Sequence, residues 1–427
     1  MTDVMDYRAV NGAQQDGISE PGDRAKILFL IDEMAAITDG GTERQLLQLV
    51  EIASKNGLET QICTLRGTEW LSPLIAGCNV RHCDIPRICS WKGLRSIHEL
   101  TRWIREERFH IVQTFFFESN LLGPWVARAA KVPIVLGTRR NLNHSVKDGP
   151  SRVSLSIQWV SNLLVDCIIA NSEAVLEKVS QSERLSREKI CVVHNGIDLV
   201  QMRSLPNSRD EIRRRLGIGP SDILVCNISG LRRIKGVELF VQAAALAYSR
   251  DRRLRFVLVG DGELRGTIAQ SIADHHLEKV FHLAGPVADV RSFLAAADIA
   301  VLCSMAEGFS NSLLEYMAAG LPVIATDVGG NQEALGSVGL LIEPGDAHAL
   351  ARAVLSFQDP SIRKREGSAA LREVQKFDVR HAEARMREIY WHHLKKTLKH
   401  GNGVGQNGIP GTSHSRAGRT DPAVRTD

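Results

Sequence analysis

Short apolar runs alternating with helical patterns predict an α/β protein, with two parallel-sheet domains facing each other across a cleft. Three observations carry this expectation. The chain has 427 residues, more than one hydrophobic core normally serves, so two domains of ordinary size are expected. Two separate series of strand-like runs are legible, each with helices between its strands, which is the signature of parallel sheets. Between the series, residues 199–208 (LVQMRSLPNS) lack a convincing period and carry a Pro-Asn-Ser turn signal, as a linker does.

Composition excludes several classes. A net charge of +4 is only mildly basic and gives no reason to expect nucleic acid. The eight cysteines include no C-x-x-C, and most lie in apolar runs, which reads as reduced thiols in a cytoplasmic protein without a zinc site. Residues 1–24 lack the basic start and apolar core of a signal peptide. The longest early apolar run, 27–31, is far short of the ~20 residues that a bilayer span needs. Residues 399–427 are rich in Gly, Ser, Thr and Pro, and both tails are expected to be disordered.

The first domain, 25–200, should hold strands at 27–31, 59–65, 111–114, 134–136, 167–170 and 191–193. After the first strand come Gly40 and Gly41, then a helix with an apolar stripe of Leu46, Leu49, Val50 and Ala53, stopped by Asn56-Gly57. Thr42 and Gln45 have capping-box spacing. Residues 87–108 form a basic amphipathic helix, with Leu94, Ile97, Leu100 and Ile104 on one face and Trp103 outside that stripe, near Lys92. An exposed Trp beside cations suits an anionic membrane surface, although three glutamates dilute the charge. The strand ending at Leu136 runs into Arg139, Arg140 and His144, at the end of the sheet where open α/β folds bind ligands.

The second domain, 201–377, should hold strands at 223–228, 255–259, 280–283, 299–302, 323–326 and 339–342, and a last helix is expected at 378–397. Its first strand leads into Gly230, Arg232, Arg233, Lys235 and Gly236, and cations at a strand end before a helix suit a diphosphate. Gly260-Asp261-Gly262 follows the next strand, but its third glycine falls one residue late for a dinucleotide fingerprint. The stretch 306–327 (AEGFSNSLLEYMAAGLPVIATD) organises the rest. It reads as a loop, a helix from about Asn311 to Ala319 closed by Gly320, and a strand opened by Pro322. Ser310 or Asn311 can cap that helix, leaving the N–H groups of its first turn free for a phosphate. Glu307 in the loop and Glu315 one turn into the helix then flank one anion-binding end. Two glutamates there could also merely stabilise the helix dipole.

Glu307 and Glu315, with Gly308, Phe309 and the following AAGLPVIAT, resemble the E-x7-E signature of the retaining glycosyltransferases of family 4, which have the GT-B fold. The resemblance extends over about residues 25–398 and takes in Gly40-Gly41, Lys235-Gly236, Gly260-Asp261-Gly262 and Gly329-Gly330. It implies that Glu315 binds the ribose of a nucleotide, that Glu307 lies against the donor sugar, and that Ser310, Asn311 and Ser312 at the helix start face the diphosphate. Gly262 would lie near the base, and the last helix would cross back onto the first domain. Relatives carry an arginine where this chain has Gly230; Arg232 is the expected substitute, with Arg233 turned to solvent. A histidine that many relatives have is replaced here by Gln113 or Phe115, so Arg139, Arg140 and His144 are the acceptor-side candidates.

The implied activity is metal-independent transfer of a sugar, from a UDP-sugar, GDP-mannose or similar donor, to a hydroxyl of a glycan or lipid-linked acceptor. Surface polysaccharide or glycolipid synthesis is the expected setting, on the inner face of the plasma membrane. No cofactor is implied, and no Asp-x-Asp occurs anywhere to clamp a metal. Two other readings are a sugar-nucleotide epimerase on the same fold and a silent sugar-nucleotide-binding protein.

Overall fold

The computed structural model describes residues 25–33, 41–66, 78–83, 85, 90–140, 152–203, 208–287 and 289–401. The first sheet contains β1 (Lys26–Ile31), β2 (Glu59–Thr64), β3 (Asn79–His82), β4 (Ile111–Thr114), β5 (Ile134–Arg139), β6 (Cys167–Ala170) and β7 (Ile190–Val192). Its order is β3-β2-β1-β4-β5-β6-β7, with every pairing parallel. The second contains β8 (Ile223–Ile228), β9 (Leu254–Val259), β10 (Phe281–Gly285), β11 (Ile299–Leu302), β12 (Val323–Thr326) and β13 (Leu340–Ile342). It is also parallel, in the order β10-β9-β8-β11-β12-β13. Both sheets reverse their winding at one point, between β1 and β4 and between β8 and β11, and a crevice opens at the strand C-termini there.

Helices cover both faces of each sheet, so the inner strands are apolar throughout; every side chain from Ile27 to Ile31 is fully buried. The stripe Leu46, Leu49, Val50 and Ala53 of the helix Gly41–Lys55 is buried on the first sheet, and Gly57 ends that helix at φ +79°. The last helix, Val379–Gly401, packs Met386, Ile389, Tyr390 and Leu394 into the same core as Phe29 and Phe115. There the Tyr390 hydroxyl donates to Gln113 Oε1 at 2.8 Å. Gln113 and Phe115, the two positions at which the resemblance would put a histidine, are therefore both buried structural groups.

Five expectations are corrected. The edge strand β3 had no strand signal, because its exposure alternates beside a short, polar sequence. The interdomain stretch begins with a helical turn, Leu199–Arg203, whose Leu199 and Met202 are buried in the second domain's core. The helix expected at 87–108 starts at Trp91 with Ser90 as N-cap. Its Trp103 is not outward: the ring packs edge-on against Phe109 at 5.4 Å and lies under the Arg81 guanidinium at 4.5 Å. The outward aromatic is Trp91, 91% exposed, and Leu94 joins it at 52% instead of entering the buried stripe. Only Gly93 of the first turn is buried, so the covered face of this helix begins later than its apolar periodicity suggests.

Candidate active site

Ser310 is the N-cap of the helix Asn311–Ala318, its hydroxyl accepting from the Leu313 amide, and Gly320 closes the helix at φ +71°. Ser312 Oγ donates to the Ile228 carbonyl at 3.0 Å, which ties the first turn to the end of β8. Buried Tyr316 binds the same residue, accepting from the Ile228 amide at 2.7 Å. The helix start is thereby aimed into the crevice between β8 and β11. Glu315 is half-buried one turn further in.

Glu307 and Lys235 meet there. Lys235 Nζ lies 2.6 Å from Glu307 Oε1, which also accepts from Ser304 Oγ at 2.6 Å. The close approach depends on Gly236, at φ +59°, where a Cβ would overlap the Cys303 carbonyl oxygen. The loop is further pinned by the Met305 amide donating to the Ile234 carbonyl at 2.8 Å. Arg232 and Arg233 are both exposed. Arg232 folds back over Gly230: its Nε would lie 3.4 Å from a Cβ built at that glycine. Gly262, at φ +156°, lies flat against Leu231, with no room for a side chain.

The other wall comes from the first domain. Gly308 touches the Arg140 carbonyl so closely that a Cβ would overlap it, and the Gly308 carbonyl accepts from Ser172 Oγ at 2.8 Å. Phe309 is buried, with its ring 5.1 Å from that of His194 and 5.2 Å from that of Phe377. Gln45 reaches across the cleft toward Asn311 Oδ1 at 3.4 Å instead of turning back as a cap. Glu333 accepts from the Glu173 amide at 2.9 Å and bonds His194 Nε2. Asp32, at the end of β1, accepts from the Glu118 and Ser119 amides at 2.9 and 2.6 Å. Burial raises its pKa, while those amides hold it down. Beside it Phe116 adopts φ 64°, ψ −176°, a conformation natural only to glycine and an indication of stored strain at the cleft.

Two neighbouring candidates separate. Arg139 leaves the cleft: its guanidinium is buried, bonded to Glu183 at 2.9 Å and to Asn162 Oδ1 at 2.8 Å. Side chains alternate across a strand, so consecutive arginines at the end of β5 face opposite ways. Arg140 turns to the cleft and donates to Asn195 Oδ1, and burial lowers its guanidinium to about 10. Gly41 begins the helix on the first domain's side, whereas Gly40 and His144 lie outside the described residues. Sequence reasoning missed Ser304; Ser172, Asn195 and Glu333 lie in stretches that resemble the family's NSE, NGID and GG-x-x-E turns, and of these only Asn195 was expected at the interdomain cleft.

This geometry agrees with what the chain is similar to. Two family models match it: "Glycosyl transferase 4-like domain" over residues 40–196 and "Glycosyl transferases group 1" over 222–359. The chain belongs to the group 1 glycosyltransferases. Similar curated proteins include an UDP-Gal:alpha-D-GlcNAc-diphosphoundecaprenol alpha-1,3-galactosyltransferase of Escherichia coli, 27% identical over 75% of this chain and 86% of its own length. A D-inositol 3-phosphate glycosyltransferase of Streptomyces coelicolor is 26% identical over 82% of this chain and 86% of its own. Among solved structures, Anabaena HepE in complex with UDP aligns with TM-score 0.74 at 21% identity, covering 86% of this chain and all (100%) of that one. Sucrose-phosphate synthase from Thermosynechococcus elongatus aligns with TM-score 0.72 at 21% identity, over 87% and 100% of the two chains. At that identity the two structures speak for the fold, which is GT-B. As a member of the family the chain is a hexosyltransferase-type glycosyltransferase that draws on a nucleotide sugar.

Proposed function

We propose that this glycosyltransferase moves a hexose from a UDP-sugar to a hydroxyl of a lipid-linked or glycan acceptor, with retention, and without a metal. The observation that carries the reading is the convergence of Lys235, Glu307 and the N-terminus of the helix Asn311–Ala318 at the switch point of the second sheet. In this reading Lys235, Arg232 and the first-turn amides of Asn311 and Ser312 meet the charge that develops on the departing diphosphate. Glu315 binds the ribose, Glu307 faces the donor sugar, and Gly308, Phe309, Ser310 and Gly262 shape the donor's surroundings. Gly41 and Arg140 belong to the acceptor wall in this reading. The E. coli relative's name, with its lipid diphosphate acceptor, supports the lipid-linked class. An epimerase would need no acceptor, and a silent binding protein would show no turnover; formation of a new glycosidic product separates both from transfer.

A thermal-shift panel of sugar nucleotides identifies the donor, since a specific ligand raises apparent stability by mass action. Glu315→Ala should then weaken binding of that donor by about 1–3 kcal/mol, the scale of a charge-assisted hydrogen bond. Glu307→Gln should mainly lower turnover. Equal loss of binding and turnover at both positions would mean the two roles are divided wrongly.

The finer setting, peripheral attachment at an anionic membrane, rests on Trp91 and Leu94 at the exposed start of their helix, beside Arg95. Each basic residue near such a surface is worth about 1 kcal/mol. Wild type should therefore pellet with phosphatidylglycerol vesicles in a salt-sensitive way and Trp91→Ser should not. Binding indifferent to salt and lipid charge refutes the electrostatic part.

A further inference from the structure

Asn195 is 4% exposed and holds three groups at once. Its Oδ1 accepts from Arg140 Nη2, while its Nδ2 donates to the Phe309 carbonyl at 3.0 Å and to Asn311 Oδ1 at 2.7 Å. The turn that carries it is fixed by the returning chain: a Cβ on Gly196 would lie 2.6 Å from Val379 Cα, and Ile197 exchanges backbone bonds of 2.9 Å with Phe377 and Val379. The Arg140 backbone is fixed as well, its carbonyl accepting from Asn171 Nδ2 at 3.1 Å and touching Gly308. One amide therefore holds the Arg140 guanidinium beside the first residue of the helix Asn311–Ala318.

By itself this arrangement is electrostatically unfavourable. A half-buried cation lies near the positive end of a helix dipole, bonded to a neutral amide, and among the described residues no carboxylate pairs with it. Adjacent Arg139 shows the contrast, since Glu183 compensates its burial. Lys235 is likewise matched by Glu307, so neither neighbouring carboxylate serves Arg140. A guanidinium opposite a helix N-terminus suits a phosphate.

We propose that Arg140, oriented by Asn195, binds a substrate phosphate from the first domain's side of the cleft, opposite the N-terminus of the helix Asn311–Ala318. This rests on the glycosyltransferase reading above, and the phosphate belongs either to the donor's diphosphate or to a phosphorylated acceptor. In both cases the contact exists only when the two domains are together, so Arg140 makes phosphate binding report on cleft closure. Arg140 touches substrate in this proposal; Asn195 is a positioning residue.

Titration calorimetry on the full-length protein tests it with UDP, uridine and inorganic pyrophosphate. For a donor phosphate, Arg140→Gln weakens UDP binding tenfold or more and leaves uridine binding unchanged. For an acceptor phosphate, UDP affinity is kept, and the tenfold loss appears when pyrophosphate is titrated into the UDP-saturated protein. Arg140→Lys should recover part of the lost affinity, because it keeps the charge but not the planar fork. Asn195→Ala should show a smaller loss confined to the same phosphate ligand, whereas a merely structural role would weaken uridine binding equally. Equal affinities of wild type and Arg140→Gln for UDP and for pyrophosphate overturn the proposal. If wild type binds pyrophosphate but none of UDP, GDP and ADP, the donor reading fails instead, and Arg140→Gln still decides this proposal through pyrophosphate alone.

Discussion

Lys235→Ala and Arg232→Ala each lower turnover by ~10² or more, the scale for removing one preorganised group from a site where charge develops, while Arg233→Ala stays near wild type. A diphosphate leaving a sugar needs positive charge at its oxygens, and in the metal-free reading proposed above that charge comes from side chains and the helix end. Lys235 is already fixed by Glu307 at 2.6 Å, so little reorganisation accompanies its work. Arg232 lies over Gly230, its Nε 3.4 Å from where a Cβ at that glycine would stand. A sharper form of the test follows: Gly230→Arg should restore much of the activity lost in Arg232→Ala, because the two side chains would serve one position. Steady-state rates of the four variants, with and without EDTA, check this. A silent Arg232→Ala beside a damaging Arg233→Ala would put the loop in the other register, and inhibition by EDTA would end the metal-free account.

Glu183→Ala should destabilise the protein by about 3–5 kcal/mol, the range for removing one partner of a buried ion pair. The Arg139 and Glu183 side chains are 9% and 2% exposed, and Asn162 bonds both, donating to Glu183 at 2.7 Å and accepting from Arg139 at 2.8 Å. Loss of the carboxylate leaves a guanidinium buried with only amide and carbonyl partners. Replacing both charges together, Arg139→Met with Glu183→Leu, should cost much less than Glu183→Ala, because no uncompensated charge remains. Urea unfolding of the two variants measures the difference. Donor affinity of folded Glu183→Ala should match wild type, since this pair lies away from the donor side of the cleft.

Local sequence determined the parallel strands and the cleft helix. Apolar runs bounded by turn residues are short-range signals, and they found twelve of the thirteen strands. The missing one, β3, lies at a sheet edge, where partial exposure leaves no apolar run to read. Ser310 and Gly320 were legible for the same reason: a cap and a left-handed turn are requirements of a few neighbouring residues. The sequence by itself also determined the family, through the spacing of Glu307, Gly308, Phe309 and Glu315.

Only the tertiary structure decided which polar groups meet. Arg139 and Arg140 are adjacent and chemically identical, yet strand alternation sends one to Glu183 and the other to Asn195. Trp103 was read from its helix as outward, but Phe109 and Arg81 come from outside that helix and cover it. In sequence Asn195 shows only a turn that the family resemblance places at the cleft, whereas in space it joins Arg140 to Asn311, 116 residues further along the chain. Periodicity reports the geometry of one element, whereas these contacts depend on how far each sheet extends and how closely the two domains approach, and that information is distributed over the whole chain.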